Sequence, residues 1–444
     1  MRQANLHKIG FALAAICLLG GFGMLLSGNT PAAGPLFVSF FIALALAARG
    51  WQHLKGLSYT LCIFAAVTAA MFRPEYFISW SGFELKTLII PLLQVIMFGM
   101  GSQLSLDDFT RVIRVPKGVI IGVGAHYLIM PIVGFGIANL FNFPTEIKAG
   151  IILIGCVPSG LASNVMSYIS RANLALAVTI GAISTLLSPL LTPLLMKRLG
   201  GQYVEVKFWA MMLDIFNLVI LPLLAGFVFN LFSGPRQCRR STTTQLAIYF
   251  LIVLLTNLVS LKAKNLEATQ FLENSVKSLC WFYLLPMLGG VALRHFLRDN
   301  RQLLGRILSI ISMSAIAIII TIITATGRDS LLKVGLLLMI TSTLHNLAGY
   351  LLGYSVGWIF GMPESDRRTL AFEVGMQNAG LASGLALNMG KIATVGLAPA
   401  IFGPLMNVTG SALASCWRNK PPSGQGHDGP TPRTDIVNNG VTAA

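Results

Sequence analysis

The chain contains 444 residues, of which 55% are hydrophobic and only 11% are charged. About a quarter of the residues in a soluble domain are charged, so the composition excludes a soluble protein and places most of the chain in lipid. The formal net charge is +16, but the 32 Lys and Arg residues lie scattered between apolar runs, which excludes the basic stripe that nucleic-acid binding requires.

Apolar runs long enough to cross a membrane recur from one end of the chain to the other. A bilayer core of about 30 Å requires a helix of about 20 apolar residues. The sequence therefore predicts an all-α integral membrane protein, a multi-span bundle with fourteen transmembrane helices. In chain order these lie near 9–27, 35–48, 57–72, 85–102, 116–140, 147–168, 174–197, 208–231, 244–262, 278–297, 304–325, 331–360, 369–388 and 391–416.

The positive charges between these runs predict the orientation of the chain. Lys and Arg residues concentrate in loops on the cytoplasmic side of a membrane. With the amino terminus inside, 20 of the 32 Lys and Arg residues fall on the cytoplasmic side. An even number of spans returns the carboxyl terminus to that side, so we expect a multi-pass protein of the cell (inner) membrane with both termini in the cytoplasm. The Pro-, Gly- and polar-rich segment 418–444 predicts a disordered cytoplasmic tail.

The reactive residues do not form the motif of an enzyme. The chain has no HExxH motif and no two histidines four residues apart, which disfavours a catalytic metal site. The six cysteines show no CxxC spacing, so we expect free thiols and no zinc site. The sequence therefore predicts neither an enzyme nor an organic cofactor.

Two polar interruptions inside apolar runs resemble each other. Residues 155–167 read GCVPSGLASNVMS and residues 373–384 read EVGMQNAGLASG, so both contain Gly-Leu-Ala-Ser. A histidine precedes the serine of this tetrapeptide by 37 residues in the first copy and by 38 residues in the second. The spacing predicts an internal duplication. A five-helix unit at 57–197 would place its copy in the opposite orientation, as in the inverted repeats of secondary transporters.

Both interruptions predict helices that break inside the membrane. Pro158 has no N–H, and the neighbouring glycines lower the cost of unwinding. An unwound segment survives only against protein or a wet cavity, where half-helix ends attract ions and substrates. Glu373 lies in the second interruption, and a carboxylate in the membrane costs at least about 2.5–3.5 kcal/mol. We interpret it as a cation ligand or proton carrier; the alternative is a carboxylate that reaches the cytoplasmic interface.

Five segments of the sequence resemble the bile acid:sodium symporter family, over about 57–232 and 304–417. The resemblance implies a body of ten helices with inverted five-helix repeats, in which a panel domain packs on a core domain. Two broken helices, here 147–168 and 369–388, would cross near the membrane centre, with sodium behind the crossing and an organic anion in front. The segments are IMFGMGSQLSLDDF (96–109), KAGIILIGCVPSGLASNVMSYISRANLALAV (148–178), STLLSPLLTPLL (184–195), EVGMQNAGLA (373–382) and NVTGSALA (407–414).

The remaining spans imply additions around this ten-helix body. Residues 1–56 would form an extra amino-terminal membrane hairpin, and residues 233–303 would form an inserted membrane hairpin. The first repeat and the start of the second would then occupy 57–232, and the remainder of the second repeat 304–417. Each addition contains an even number of spans, so it preserves the orientation of the helices that come after it in the chain.

The resemblance implies two sodium sites, which this chain keeps only in part. The first site would use Ser163, Asn164 and Glu373 together with two hydroxyl groups on the next helix. Those two positions fall on Ala177 and Gly181, which have no side-chain oxygen. The first site is therefore expected to be incomplete.

The second sodium site would use the side chains of Glu373 and Gln377 and the backbone carbonyls of Val374 and Met376. A glutamine that completes it in the family is replaced by His126, and a neutral imidazole is a poorer ligand for a hard cation than an oxygen. We therefore expect at most one Na⁺ as coupling ion and no other metal. The imidazole of His126, which ordinarily titrates near neutral pH, could hold a proton instead.

These features together predict a secondary active transporter that couples a small organic anion to Na⁺ by alternating access. No Arg or Lys lies in the broken segments, so the anion would depend on half-helix N-termini. The alternatives are a proton-coupled or uncoupled organic-acid transporter of the same fold and a sensor that no longer transports. The substrate and the oligomeric state stay open. The candidate substrate-binding residues are Ser159, Gly160, Asn378 and Asn407.

Overall fold

The structure is a computed structural model that describes residues 2–50, 57–104, 116–233 and 301–418, together with 280, 284, 285, 288, 289, 292, 420 and 422. The predicted spans 244–262 and 278–297 lie wholly or largely outside these residues, and so does most of the predicted hairpin 233–303. Nearly all of the predicted tail 418–444 also lies outside them.

The described residues form helices, apart from connecting turns and one short hairpin. In this hairpin β1 (Ser79–Trp80) pairs antiparallel with β2 (Phe83–Glu84). Single π-type turns follow α9 at Met196–Gly200 and α10 at Phe216–Ile220. The α-helices are α1 (Arg2–Leu26), α2 (Thr30–Ala48), α3 (Leu57–Phe72), α4 (Glu75–Ile78), α5 (Ile89–Gly101), α6 (Pro116–Leu140), α7 (Thr145–Cys156), α8 (Ala162–Ile169), α9 (Leu174–Leu195), α10 (Phe208–Ile215), α11 (Leu221–Ser233), α12 (Arg301–Thr326), α13 (Arg328–Ile359), α14 (Glu364–Gly375), α15 (Ala379–Asn388) and α16 (Leu397–Arg418).

Many of these helices have the length and hydropathy of membrane spans. Within the described residues, seven helices are long and apolar enough to cross a membrane, and three shorter helices are apolar as well. Large apolar side chains also cover the outer surface: Ile120, Leu128 and Ile132 lie on one exposed face of α6. Such a surface fits lipid rather than water. The prediction of an all-α integral membrane protein is therefore confirmed.

The two amino-terminal helices lie at one side of the bundle. Helix α1 packs on α2, and α2 packs on α3, which in turn contacts α12 and α16. Helix α2 packs closely on α3 at Gly34, where an added Cβ would lie 2.8 Å from the Phe72 side chain. The outer face of α1 carries exposed Ile9, Leu13 and Ile16. Helix α1 is thus the most peripheral helix of this side.

The helices pack in two sets. One set contains α3, α5, α11 and α12, in which α12 contacts both α3 and α5, and α5 contacts α11. The other contains α6, α7, α8, α9, α13, α14 and α16. Contacts between the sets are sparser and involve mainly α10, α15 and α16. The candidate site lies within the second set and at its boundary with the first.

The two broken helices share their length, their start and one packing contact. Helices α7 and α14 each have 12 residues, and each follows a proline in extended conformation, Pro144 or Pro363. A glycine on the preceding helix lies against the same turn in both cases. An added Cβ on Gly134 would lie 2.9 Å from the carbonyl oxygen of Ile151, and one on Gly353 would lie 2.6 Å from that of Leu370.

Candidate functional site

Two helices break, and their broken segments pair with each other. Helix α7 ends at Cys156 and the chain continues as α8 from Ala162. Helix α14 ends at Gly375 and continues as α15 from Ala379. Two of the backbone N–H groups and two of the carbonyls in the breaks are satisfied by the other break, and an apolar environment requires such pairing. The pairing is an antiparallel bridge between Ser159 and Gln377, with Gly160 N–H donating to Met376 O (3.1 Å) and Asn378 N–H donating to Pro158 O (2.8 Å).

The sequence permits this pairing through two residues. Pro158 has no N–H to lose when the helix stops, and its carbonyl accepts the bond from Asn378. Gly160 lies so close to the other break that an added Cβ would be 2.6 Å from the carbonyl oxygen of Gln377. Any side chain at this position would push the two segments apart. The second break contains no proline, and Asn378 instead starts α15 by accepting a hydrogen bond from Leu381 N–H (3.0 Å).

His126 connects the two breaks from the side of α6. Its Nδ1 lies 2.8 Å from the carbonyl oxygen of Glu373, and its Nε2 lies 2.9 Å from the carbonyl oxygen of Val157. The ring is fully buried. Both neighbours are acceptors, whereas a neutral imidazole offers one donor and one acceptor. Both contacts are therefore hydrogen bonds only when both ring nitrogens carry hydrogen.

Glu373 is fully buried beside this crossing. Its Oε1 accepts a hydrogen bond from the Ser163 hydroxyl at 2.5 Å, and the Ser159 hydroxyl lies 3.2 Å from that of Ser163. Its Oε2 has no hydrogen-bond partner among the described residues. A buried carboxylate oxygen without a partner is costly unless a proton or a cation reaches it. Glu373 and Ser163, predicted as cation ligands, thus lie together.

Further unpaired oxygens lie in the second break and on α8. Gln377 donates from Nε2 to the carbonyl oxygen of Val374 (2.7 Å), which leaves its Oε1 unpaired. Asn164 Oδ1 and Ser167 Oγ on α8 also lack partners within the described part of the chain. Carboxylate, amide and hydroxyl oxygens are ligands that hard cations prefer. Ser167 lies one turn beyond Ser163 and was not among the predicted ligands.

A cavity of about 100 Å³ lies between the two breaks and helices α5 and α12, and Gln377 lines it but Glu373 and Ser163 do not. The N-terminal ends of α8 and α15 form part of its wall, and the rest is mainly apolar. No charged side chain lines it. Of the four predicted substrate-binding residues, Gly160, Asn378 and Asn407 line this cavity. Ser159 does not, because it is fully buried and its hydroxyl points to Ser163.

Polar residues of neighbouring helices hold the carbonyl groups at the ends of α7 and α14. Thr192 of α9 donates to the carbonyl oxygen of Cys156 (2.7 Å), and Asn346 of α13 donates to that of Gly375 (2.9 Å). Thr409 of α16 in turn donates to Asn346 (2.5 Å). None of these residues was predicted from the sequence. In the sequence, each of them is only a hydroxyl or amide residue inside an apolar run. Such residues also occur at many positions where they hold no carbonyl group.

Polar contacts also join the outer ends of the two broken helices to the loops that follow α8 and α15. Glu146, in the first turn of α7, pairs with Lys391, and the Thr394 hydroxyl lies 2.6 Å from its Oε2. These two donors hold the pKa of Glu146 below its usual range. In the first turn of α14, Asp366 accepts a hydrogen bond from Asn173 (2.9 Å). Each broken helix is thus bound to the loop of the other.

Comparison with known proteins agrees with this architecture. Residues 90–269 match the Sodium Bile acid symporter family. The chain is similar to the uncharacterized sodium-dependent transporter YocS of Bacillus subtilis (strain 168), with 31% identity over 373 residues, which cover 84% of this chain and 94% of YocS. It is also similar to the probable chloroplastic sodium/metabolite cotransporter BASS1 of Oryza sativa subsp. japonica, with 27% identity over 86% of this chain and 80% of that protein. The resemblance inferred from the sequence motifs is confirmed: the chain belongs to the sodium bile acid symporter family of membrane transporters and is not an enzyme.

Proposed function

We propose that this protein is a secondary active transporter that couples the movement of a small organic anion to Na⁺ by alternating access. The observation that carries the proposal is the unpaired, fully buried Oε2 of Glu373 next to the paired breaks, together with an uncharged cavity that residues of both breaks line. The unpaired oxygen needs a proton or a cation, and the cavity offers helix N-termini to an anion. Relatives named as sodium-dependent transporters and sodium/metabolite cotransporters support the choice of Na⁺.

The cation would bind among the oxygens of Ser163, Asn164 and Glu373. Asn164 Oδ1 and Glu373 Oε2 are unpaired among the described residues, and Ser163 already contacts Glu373. Gln377 would contribute its Oε1, and the backbone carbonyls of Val374 and Met376 would complete the set. Those two carbonyls already accept hydrogen bonds from Gln377 Nε2 and Gly160 N–H. Each carbonyl oxygen has two lone pairs, so one lone pair remains on each for a single bound Na⁺.

His126 supports the same stoichiometry. In the proposed second sodium site its ring stands where related proteins place an oxygen ligand, and both of its nitrogens contact backbone carbonyls. Those carbonyls, of Val157 and Glu373, are not among the proposed ligands, so the ring leaves the second site without the oxygen that a glutamine would supply. We infer that the His126 ring takes the place of the glutamine ligand and of the second Na⁺, and that it links the two breaks.

The anion would bind in the cavity toward α5 and α12. The partial positive charge of a helix N-terminus favours an anion, and α8 and α15 both begin at this cavity. The amide side chains of Asn378 and Asn407 line it, and most of the remaining wall is apolar. A small carboxylate or sulfonate with an apolar body fits this wall better than a polyanion, because no cationic side chain lines it.

Alternating access would follow from an inverted repeat. The equal lengths of α7 and α14, the matching glycine contacts and the antiparallel pairing of the breaks all support two related halves of opposite orientation. The panel would then be α3, α5, α11 and α12, against which the crossing and its supporting helices move. We place both termini in the cytoplasm and the protein in the inner membrane, from the distribution of positive charge in the sequence.

Uptake into proteoliposomes tests the proposal. A panel of labelled organic acids is offered under an inward Na⁺ gradient, an inward proton gradient or no gradient. We expect accumulation of at least one acid with the Na⁺ gradient only, and none with Glu373→Gln, a variant of the same size that lacks the charge. Accumulation driven by the proton gradient alone would favour the proton-coupled alternative, and equilibration without a gradient would favour uncoupled transport.

A further inference from the structure

The unpaired oxygen of Glu373 faces a residue without a side chain. Gly181 lies on α9, and a Cβ added to it would be 3.5 Å from Glu373 Oε2. Apart from the two neighbouring residues and the nearby backbone of its own helix, that oxygen is the one atom of the described residues within 4 Å of the added Cβ. A closely packed interior leaves few such gaps. Here the gap adjoins a carboxylate oxygen that has no hydrogen-bond partner among the described residues.

Helix α9 supplies no oxygen to this gap from its neighbouring side chains. Ala177, one turn before Gly181, is fully buried and has no polar atom. The Thr179 hydroxyl donates to Ala175 O at 2.7 Å. The hydroxyls of Ser184 and Thr185 both donate back to the carbonyl of residue 181. None of these hydroxyl oxygens lies within 4 Å of the Cβ added at Gly181, so a ligand for the cation at that position must come from another element or from water.

We propose that a water molecule occupies the gap at Gly181 and binds the coupled cation at Glu373 Oε2 in place of a protein ligand. Residue 181 would therefore determine the affinity for the cation. The inference rests on the proposed function, because it assumes a coupled cation at Glu373. A hard cation binds several oxygens and often retains water among them. Glu373 Oε2 and the cation give that water two polar neighbours, which a buried water needs.

Two substitutions at the same position separate this arrangement from a simple packing gap. The added Cβ is at ordinary contact distance from Glu373 Oε2, so the methyl group of Gly181→Ala fits, and so does the Cβ of Gly181→Ser. Alanine displaces the water and offers no oxygen in return. Serine displaces it and supplies a hydroxyl oxygen. We therefore expect opposite effects on cation affinity from two side chains that differ by one oxygen atom.

The readout is the Na⁺ concentration that gives half-maximal thermal stabilisation of the purified protein in detergent, without substrate. We expect about a tenfold lower concentration for Gly181→Ser and about a tenfold higher concentration for Gly181→Ala, a difference equivalent to about 1.4 kcal/mol each. Gly124 on the exposed face of α6, where an added Cβ meets nothing within 4 Å, gives matched controls. Gly124→Ala and Gly124→Ser should leave the midpoint unchanged.

Glu373→Gln distinguishes failure of this inference from failure of the proposed function. If Na⁺ stabilises the wild type but not Glu373→Gln, the proposed cation site stands. Shifts of both Gly181 variants in the same direction, or no shift in either, would then overturn the role of residue 181 alone. Absence of any Na⁺-specific stabilisation of the wild type would overturn both. Loss of folding in either Gly181 variant would contradict the clearance on which the inference depends.

Discussion

Replacement of Gly160 by alanine tests the geometry of the crossing directly. The added Cβ would lie 2.6 Å from the carbonyl oxygen of Gln377 and 3.1 Å from its carbonyl carbon. Neither the carbonyl nor the Cβ is the end of a flexible side chain, so the two broken segments must separate. Separation lengthens the bonds from Gly160 N–H to Met376 O (3.1 Å) and from Asn378 N–H to Pro158 O (2.8 Å).

The expected loss follows from these two bonds. A buried polar group that loses its partner costs about 1–3 kcal/mol, so Gly160→Ala should destabilise the protein by about 2–6 kcal/mol. With an unfolding entropy of about 2.1 cal/mol/K per residue, that corresponds to a melting temperature lower by about 2–6 °C.

Thermal unfolding in detergent, without Na⁺ or substrate, measures this loss. The matched control is Gly136→Ala on the exposed side of α6, where an added Cβ meets nothing within 4 Å. Alanine in a helix interior is favoured over glycine by about 0.5–1 kcal/mol, so this control should be unchanged or slightly more stable. If Gly160→Ala melts at the same temperature as Gly136→Ala, the two breaks do not approach each other as closely as these distances require.

The site and its supports lead to three further expected outcomes. His126→Gln should raise the Hill coefficient for Na⁺-driven uptake from about one toward two, because it supplies an oxygen where the ring now stands; an unchanged coefficient would contradict the role of the ring. Glu146→Gln should lower thermal stability by a constant amount above about pH 5, and the difference should shrink below about pH 4 as wild-type Glu146 gains its proton. Its pKa is held low by Lys391 in the folded protein, so the stabilisation is present above the unfolded pKa and is lost as the pH falls. Reporter fusions at Lys420 and within 198–207 should report opposite sides of the membrane, and the same side for both would refute the topology.

Much of the helical framework could be predicted from the sequence. The twelve predicted spans that fall in the described residues all correspond to helices, because runs of apolar residues report burial in lipid irrespective of tertiary contacts. The first break could be located from Pro158 and its glycines. The second was located from its similarity to the first, since Met376–Asn378 contains neither proline nor glycine.

The contacts between distant segments could not be predicted. Ser159 was assigned to the substrate as a polar residue of the first break, but its hydroxyl lies beside Ser163, because extended residues point alternately to opposite sides. The position of His126 was identified from family resemblance, whereas its simultaneous contacts with Val157 and Glu373 depend on how three helices meet. Asn346 was missed because one amide inside an apolar run gives no indication of the carbonyl it will bind.

The unpaired oxygens connect the stability of this protein to its proposed function. Four buried oxygens, on Asn164, Ser167, Glu373 and Gln377, lack partners within the described part of the chain. Each such group costs about 1–3 kcal/mol, and a folded protein is stable by only about 5–15 kcal/mol, so four of them represent a substantial part of the total. An ion that binds the folded state and pairs even two of these oxygens would recover part of this cost and stabilise the protein in proportion to its occupancy. Cation binding should therefore be measurable as added stability in the absence of substrate, which makes Na⁺-dependent unfolding a direct test of the proposed site.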